Sequence, residues 1–272
     1  MSTSKPNCDT CAVHNVSNLK KLGVNMESWD FVVALAGNPN TGKSTVFNAF
    51  TGLRQHTGNW PGKTVTRAEG GFSYGDSRFK VVDLPGTYSL LSTSTDEEVA
   101  RNFLLFGQPD VTILVVDATR LERNLNLVLQ VLQITSRVVL CLNLVDEAKR
   151  HGMQVDTRTL ARELGVPVVP TAARQKQGID ELLETVSQVA QGKIQCSPRR
   201  LQKCTPRLEQ AISTLSAMLE EQLPGISNVR WVAMRLLDGD KHIIDAVKTN
   251  ELSALIEQQE THSNSAETKE LS

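Results

Sequence analysis

One stretch constrains this chain more than any other: Gly37-Asn38-Pro39-Asn40-Thr41-Gly42-Lys43-Ser44. It comes after an unbroken apolar run at 31–36, of strand length, and opens a segment of helical spacing at 43–50. In that setting the pattern is a phosphate-binding loop. Glycines at both ends let the backbone wrap phosphate oxygens, and the N–H groups and helix N-terminus supply positive field. Lys43 is placed to bridge terminal phosphates and Ser44 to ligate Mg²⁺. A chain that opens with strand, loop and helix in this way is committed to βα units.

The rest of the sequence agrees. Apolar runs return at 81–84, 111–116, 138–142 and 166–169, separated by helical segments at 96–106, 121–134, 156–164 and 178–190. That alternation predicts a doubly wound α/β sheet. In 121–134 a stripe of Leu121, Leu125, Val128, Leu129 and Leu132 predicts the buried face, leaving Glu122, Arg123, Asn124 and Gln130 to water. The runs 64–75 and 77–84, joined at Gly75-Asp76, read as a hairpin, so the sheet is expected to be mixed, mostly parallel, with one antiparallel edge strand.

Beyond Gln191, the punctuation Gly192, Pro198 and Pro206 marks a linker, and the remainder of the chain reads as helix. Leu208, Ile212, Leu215, Met218, Leu219 and Leu223 form one stripe. Asn228 is placed to cap a second helix through Trp231, Met234, Leu236 and Leu237, with short helices from Lys241 and Glu251 after it. The expected division is a polar, mobile or loosely docked arm at 1–29, a nucleotide domain at 30–191, a helical domain at 192–260 and a disordered tail at 261–272. Net charge is −1 with scattered Lys and Arg, which argues against nucleic acid as a partner. Five cysteines, one of them Cys141 inside an apolar run, fit reduced thiols better than a disulfide framework. No apolar stretch approaches membrane-spanning length, and the first thirty residues lack the apolar block of a signal peptide.

Four further stretches carry chemistry. Asp83-Leu84-Pro85-Gly86 ends a strand-like run beside the phosphate loop, where Asp83 can hold Mg²⁺ through water and the Gly86 N–H can turn to the last phosphate. Alone, Asp-x-x-Gly is a common turn. Asn143-Leu144-Val145-Asp146 ends another strand. Guanine offers two donors that the Asp146 carboxylate can accept, whereas adenine leaves that acceptor unpaired. Thr171-Ala172-Ala173 closes the next strand, where a backbone N–H can meet the guanine oxygen. Between the phosphate loop and Asp83 lies Gly58-Asn59-Trp60-Pro61-Gly62-Lys63-Thr64-Val65-Thr66, Gly- and Pro-rich and able to exist in two conformations, with Thr64 as second Mg²⁺ ligand. His56 has no carboxylate neighbour to orient it as a base and reads as a surface residue.

With its motifs in this order the chain resembles the small-GTPase superfamily, and among its members the amino-terminal cytosolic G domain of the FeoB family of bacterial ferrous-iron transporters. The closer likeness lies in Gly37 to Ser44, in Gly58-Asn59-Trp60-Pro61-Gly62 leading into Thr64, and in Arg230-Trp231-Val232-Ala233-Met234-Arg235-Leu236-Leu237-Asp238-Gly239-Asp240. The last is no nucleotide motif and separates this family from other GTPases. The resemblance implies a P-loop, Ras-like G domain followed by a small all-helical, GDI-like spacer. It implies that GTP is bound and hydrolysed to GDP with Mg²⁺ on Ser44, Thr64 and Asp83. The GTP state would control Fe²⁺ passage through a permease of the same protein at the cytoplasmic face of the bacterial inner membrane. The implied nucleotide set is Gly37 through Ser44 with Thr45, Gly62 through Thr66, Asp83 through Gly86, Asn143 through Asp146, and Thr171 through Ala173.

No Gln lies between Gly86 and Ala100, so a side-chain water-orienting residue is missing. Catalysis then falls to Asn40, Lys43, Thr64 and Gly86. In relatives of this kind K⁺ sits on a P-loop Asn and on switch carbonyls, and Asn40, Gly58 and Trp60 occupy those places. The plain alternative for Asn40 is a loop-stabilising Asn. Two departures stand out. Lys63 replaces the small apolar residue usual before the Mg²⁺-binding Thr, and Leu144 replaces a Lys whose stem covers the base, which implies weak affinity and fast GDP release. Cys8, Cys11 and His14 are too few for a closed zinc site and read as groups on the arm. An Era-class ribosome-assembly GTPase and a non-catalytic guanine-nucleotide sensor are the competing readings. A homo-oligomer is left open.

Overall fold

The computed structural model describes residues 16–52, 56–91, 94–199, 205–224, 226 and 228–248. Cys8, Cys11, His14, the helix expected from Glu251 and the tail at 261–272 lie outside the described residues. The run at 31–36 becomes β1 (Phe31–Gly37), buried along its whole length, as a central parallel strand covered on both faces must be. After it come α2 (Lys43–Thr51), β2 (His56–Asn59), β3 (Thr66–Tyr74) and β4 (Ser77–Asp83). Next are α3 (Thr95–Asn102), β5 (Val111–Asp117), α4 (Leu121–Ile134), β6 (Val138–Asn143), α5 (Val145–Arg150), α6 (Thr157–Leu164), β7 (Val168–Pro170) and α7 (Ile179–Ala190). Seven strands form one sheet in the order β2-β3-β4-β1-β5-β6-β7, and β4, β1, β5, β6 and β7 are mutually parallel.

The antiparallel strand is β3, which pairs with β4 across the expected Gly75-Asp76 turn. It is not the edge, however. β2 continues the sheet outside it, with Gly58 opposite Arg67. β2 leaves no signal in the sequence because all four of its residues are exposed and carry no apolar alternation.

Two further expectations need correction. In α4 the buried face includes Asn124, Leu127 and Val131 beside Val128 and Leu132. Asn124 is 3% exposed because its amide is used internally: Nδ2 donates to Arg120 O at 2.8 Å and Oδ1 accepts the Asp117 N–H at 3.3 Å. The second half of the arm is packed, not loose. Val16–Lys21 forms α1, and Leu19 and Val24 are buried in the cluster that includes the five-residue π-helical turn Phe103–Gly107 prolonging α3.

Downstream lie the helices α8 (Pro206–Gln222), α9 (Val229–Leu237) and α10 (Lys241–Lys248). Thr205 caps α8 through the Leu208 N–H, with Pro206 at the first position. Ile212, Leu219, Trp231, Val232, Ala233 and Ile243 are buried in the cluster that also covers one face of the sheet, while Leu208 and Met218 of the expected stripe stay exposed. Arg101 of α3, only 3% exposed, meets the field of Asp240 at the start of α10. Burial lowers the Arg101 pKa and Asp240 opposes the shift, so this charge joins the sheet domain to the helices.

Candidate active site

The phosphate loop, Asp83, Asn143 and Thr171 all stand at the carboxyl ends of parallel strands, the crevice where open α/β sheets place ligands. Within the loop the Thr41 hydroxyl donates to Asn38 O at 2.9 Å, and Asn40 takes a left-handed φ of 65°, which Asn tolerates. Gly42 has φ 80°, and a Cβ there would run into the Asn143 amide. At Gly37 a Cβ would press on the Val115 carbonyl, so strand packing, and not only phosphate approach, demands glycine there. Lys43 and Asp83 form a tight ion pair with little exposure of either side chain. Burial raises the Asp83 pKa and Lys43 works against the rise. Leu84 N–H donates to Leu35 O at 2.9 Å, and Thr87 N–H to Gly37 O at 3.3 Å, which tie the Asp83-to-Gly86 turn to the base of the loop.

Asn143 is the hub of the base side. Its Nδ2 donates to Thr41 O at 2.9 Å, and its Oδ1 accepts from the Thr171 hydroxyl at 3.2 Å and the Ala173 N–H at 3.1 Å. One buried amide therefore joins the phosphate loop to the 171–173 loop. Leu144 comes next with φ 63°, which turns the chain into α5 and puts Asp146 in the first helical turn. Asp146 Oδ2 accepts from Gln175 Nε2 at 2.9 Å and faces Arg150 at 3.4 Å. The expected free N–H in 171–173 is not available in this arrangement. Thr171, Ala172 and Ala173 donate to Leu142 O, Gln177 O and Asn143 Oδ1, and all three residues are buried.

A polar cavity of about 420 Å³ opens beside the loop, lined by Asn38, Asn40, Tyr88, Asp117, Arg123 and Leu144 among others. Asn38 is 3% exposed, and neither of its amide atoms has a hydrogen-bond partner among the described residues. Arg123 stacks on the Tyr88 ring at 4.6 Å. Sequence reasoning passed over Asp117, Tyr88 and Arg123. Asp117 had a local signal, since an Asp whose carboxylate takes the N–H and hydroxyl of a Thr two residues on, at 2.8 and 2.7 Å, is a strand-ending turn.

A family model for "Ferrous iron transport protein B" matches residues 31–186, and one for the "FeoB cytosolic helical domain" matches 205–271. The chain belongs to the FeoB family. It is 39% identical over 212 residues to the Fe(2+) transporter FeoB of Shigella flexneri, a match that covers 76% of this chain and 27% of that relative. The chain thus spans about a quarter of the length of the curated relatives it matches. Among solved structures, the cytosolic domain of L. pneumophila FeoB is 35% identical with TM-score 0.72, covering 86% of this chain and 90% of that one. The cytosolic domain of T. maritima FeoB in its GMPPNP form is 38% identical with TM-score 0.72, covering 83% and 86%.

These residues are the G-domain and helical part of a FeoB chain, and the helical match removes the Era-class reading. No described helix is long and apolar enough to cross a membrane. The 58–66 segment, however, is not drawn up to the phosphate loop. Thr64 is exposed in a bend between β2 and β3, and no residue of 56–66 lines the polar cavity beside the loop. Gly58 sits in the β2 ladder, and the Trp60 carbonyl accepts the Lys63 N–H at 3.0 Å, so the three groups expected to hold K⁺ are not gathered. Ser44 is exposed at the start of α2 while Asp83 holds Lys43.

Proposed function

We propose that this chain binds GTP, hydrolyses it to GDP and phosphate, and so regulates Fe²⁺ passage through a permease carried by the same protein at the cytoplasmic face of the inner membrane. The observation that carries the reading is the Asn143 hub. It fixes the phosphate loop, the 171–173 loop and the turn into Asp146 as one unit at the strand ends. The GMPPNP form of the T. maritima relative supports the nucleotide class.

In this scheme the 37–44 loop wraps the phosphates, Lys43 leaves Asp83 for the terminal phosphates, and Asp146 accepts the two guanine donors. Mg²⁺ suits the hard oxygens of Ser44, Asp83 and Thr64, and when bound it supplies charge that offsets the phosphates. The tight Lys43–Asp83 pair holds the Asp83 carboxylate in the crevice. Thr87 is 5% exposed and its N–H is taken by Gly37 O, so it is poorly placed to orient water. Backbone groups at Thr64 and Gly86 then position the water, and K⁺, if held by Asn40 and by the Gly58 and Trp60 carbonyls after 58–66 moves in, would supply fixed positive charge. Single-turnover hydrolysis of GTP, measured in K⁺ and in Na⁺ at equal ionic strength, tests this. The expected result is faster turnover in K⁺, with Asn40→Ala indifferent to the cation. Equal rates for the unaltered chain would remove the K⁺ role, and GTP binding without turnover in either salt would make the chain a sensor.

A further inference from the structure

Lys63 is the unusual residue of the switch segment, and the structure gives it a partner. Its ammonium reaches both carboxylate oxygens of Glu98 on α3, at 3.1 and 3.0 Å. Three residues earlier, Trp60 is 3% exposed, with its ring edge-on to Phe103 at 5.5 Å and the Arg67 guanidinium over it at 5.5 Å. Between these anchors the chain is closed on itself, Trp60 N–H to Val65 O and Lys63 N–H to Trp60 O, both at 3.0 Å. Pro61 to Thr64 form the exposed tip of that closed turn. One anchor is imperfect: Trp60 Nε1 is buried without an acceptor among the described residues, which costs the docked form free energy and keeps it reversible.

We infer that the Lys63–Glu98 ion pair is a latch that holds residues 60–65 on α3, so that Thr64 reaches the nucleotide only when the pair breaks. The latch rests on the nucleotide function proposed for this chain for its effect on ligand affinity, but not for its existence. Docking and nucleotide engagement compete for one segment, so any ligand that recruits Thr64 loses affinity by the stability of the docked form. A ligand that does not recruit Thr64 is unaffected. The pair is only partly exposed, 37% at Lys63 and 26% at Glu98, and pairs of this kind shift an equilibrium by about 1.5- to 5-fold.

The test uses Lys63→Gln, Glu98→Gln, the double variant and the charge swap Lys63→Glu/Glu98→Lys. Hydrogen exchange on the nucleotide-free chain reads the latch directly. Each single variant should speed exchange across 56–66 by about 1.5- to 5-fold, the double variant should add nothing, and the swap should return the rate toward that of the unaltered chain. For Glu98→Gln, titration with fluorescent Mg·GMPPNP should show tightening by the same factor, with GDP binding unchanged. Unchanged exchange in both single variants would overturn the latch, as would equal tightening for GMPPNP and GDP. If no guanine nucleotide bound at all, the proposed GTPase function would fail, while the exchange data would still decide the latch.

Discussion

Asn143→Ala deletes three hydrogen bonds at a position that is 1% exposed: the one to Thr41 O and those from the Thr171 hydroxyl and the Ala173 N–H. Each is worth about 0.5–1.5 kcal/mol net, and partners stranded in the interior add their own desolvation cost. The Thr171 hydroxyl can turn to the Cys141 sulfur, 3.2 Å away, which softens the loss. The other two partners, the Ala173 N–H and Thr41 O, are left exposed to that cost. The total comes to about 2–4 kcal/mol, and for a domain of this size that is a fall in Tm of about 4–16 °C. Urea unfolding of the nucleotide-free chain, followed by circular dichroism, gives the free energy at equal m-value. Because the lost bonds lie between two loops, the variant should also weaken guanine nucleotide binding through disorder of the site. A loss below about 0.5 kcal/mol would refute the claim that Asn143 is a structural hub. A normal unfolding curve with impaired binding would make it a ligand-contacting residue instead.

Asp146→Asn should weaken GTP and favour the xanthine nucleotide, since an amide can donate to the additional carbonyl of xanthine; unchanged preference in a paired GTP and XTP titration would remove Asp146 from base reading. Cys141 is fully buried and its thiol is pushed up to about 12 by burial, only partly offset by the Thr171 hydroxyl. At about pH 8 roughly one thiol in ten thousand is ionised, so iodoacetamide labelling mapped by peptide mass should reach Cys141 only as fast as the chain unfolds. Labelling of the folded chain at the rate of a free cysteine would contradict this.

Burial decides which parts of this fold are legible in its sequence. β1, β5 and β6 are covered on both faces and announce themselves as unbroken apolar runs, and the helix expected at 121–134 has the bounds of α4. The phosphate loop is legible because phosphate chemistry fixes residue type and spacing together. Asn143 stands out in sequence as part of the base side, yet its work as a bridge between two loops requires knowing that Thr41 and Ala173 converge on it. The buried face of α4 is misread at Asn124, because a polar residue that satisfies its amide inside the fold looks, in sequence, like one facing water. Leu19 escapes notice because the apolar spacing Val16, Leu19, Leu22 spans barely two turns of an otherwise polar segment.

The 56–66 segment is the hardest to read. His56 to Asn59 make a strand with no buried side chain, held by backbone bonds to β3 at the open edge of the sheet. Such a strand is specified by its neighbour and not by its own pattern, so its register and its attachment are weakly encoded. Trp60 beside it is buried, and that residue leaves its indole N–H without an acceptor among the described residues. His56 to Asn59, with no side-chain burial to lose, can exchange one set of backbone partners for another at small cost, whereas Trp60 gives up a buried ring if it leaves with them. Lys63 then matters out of proportion to its modest ion pair. Where the two placements of a segment lie close in free energy, an increment equivalent to a few-fold change decides which one is populated.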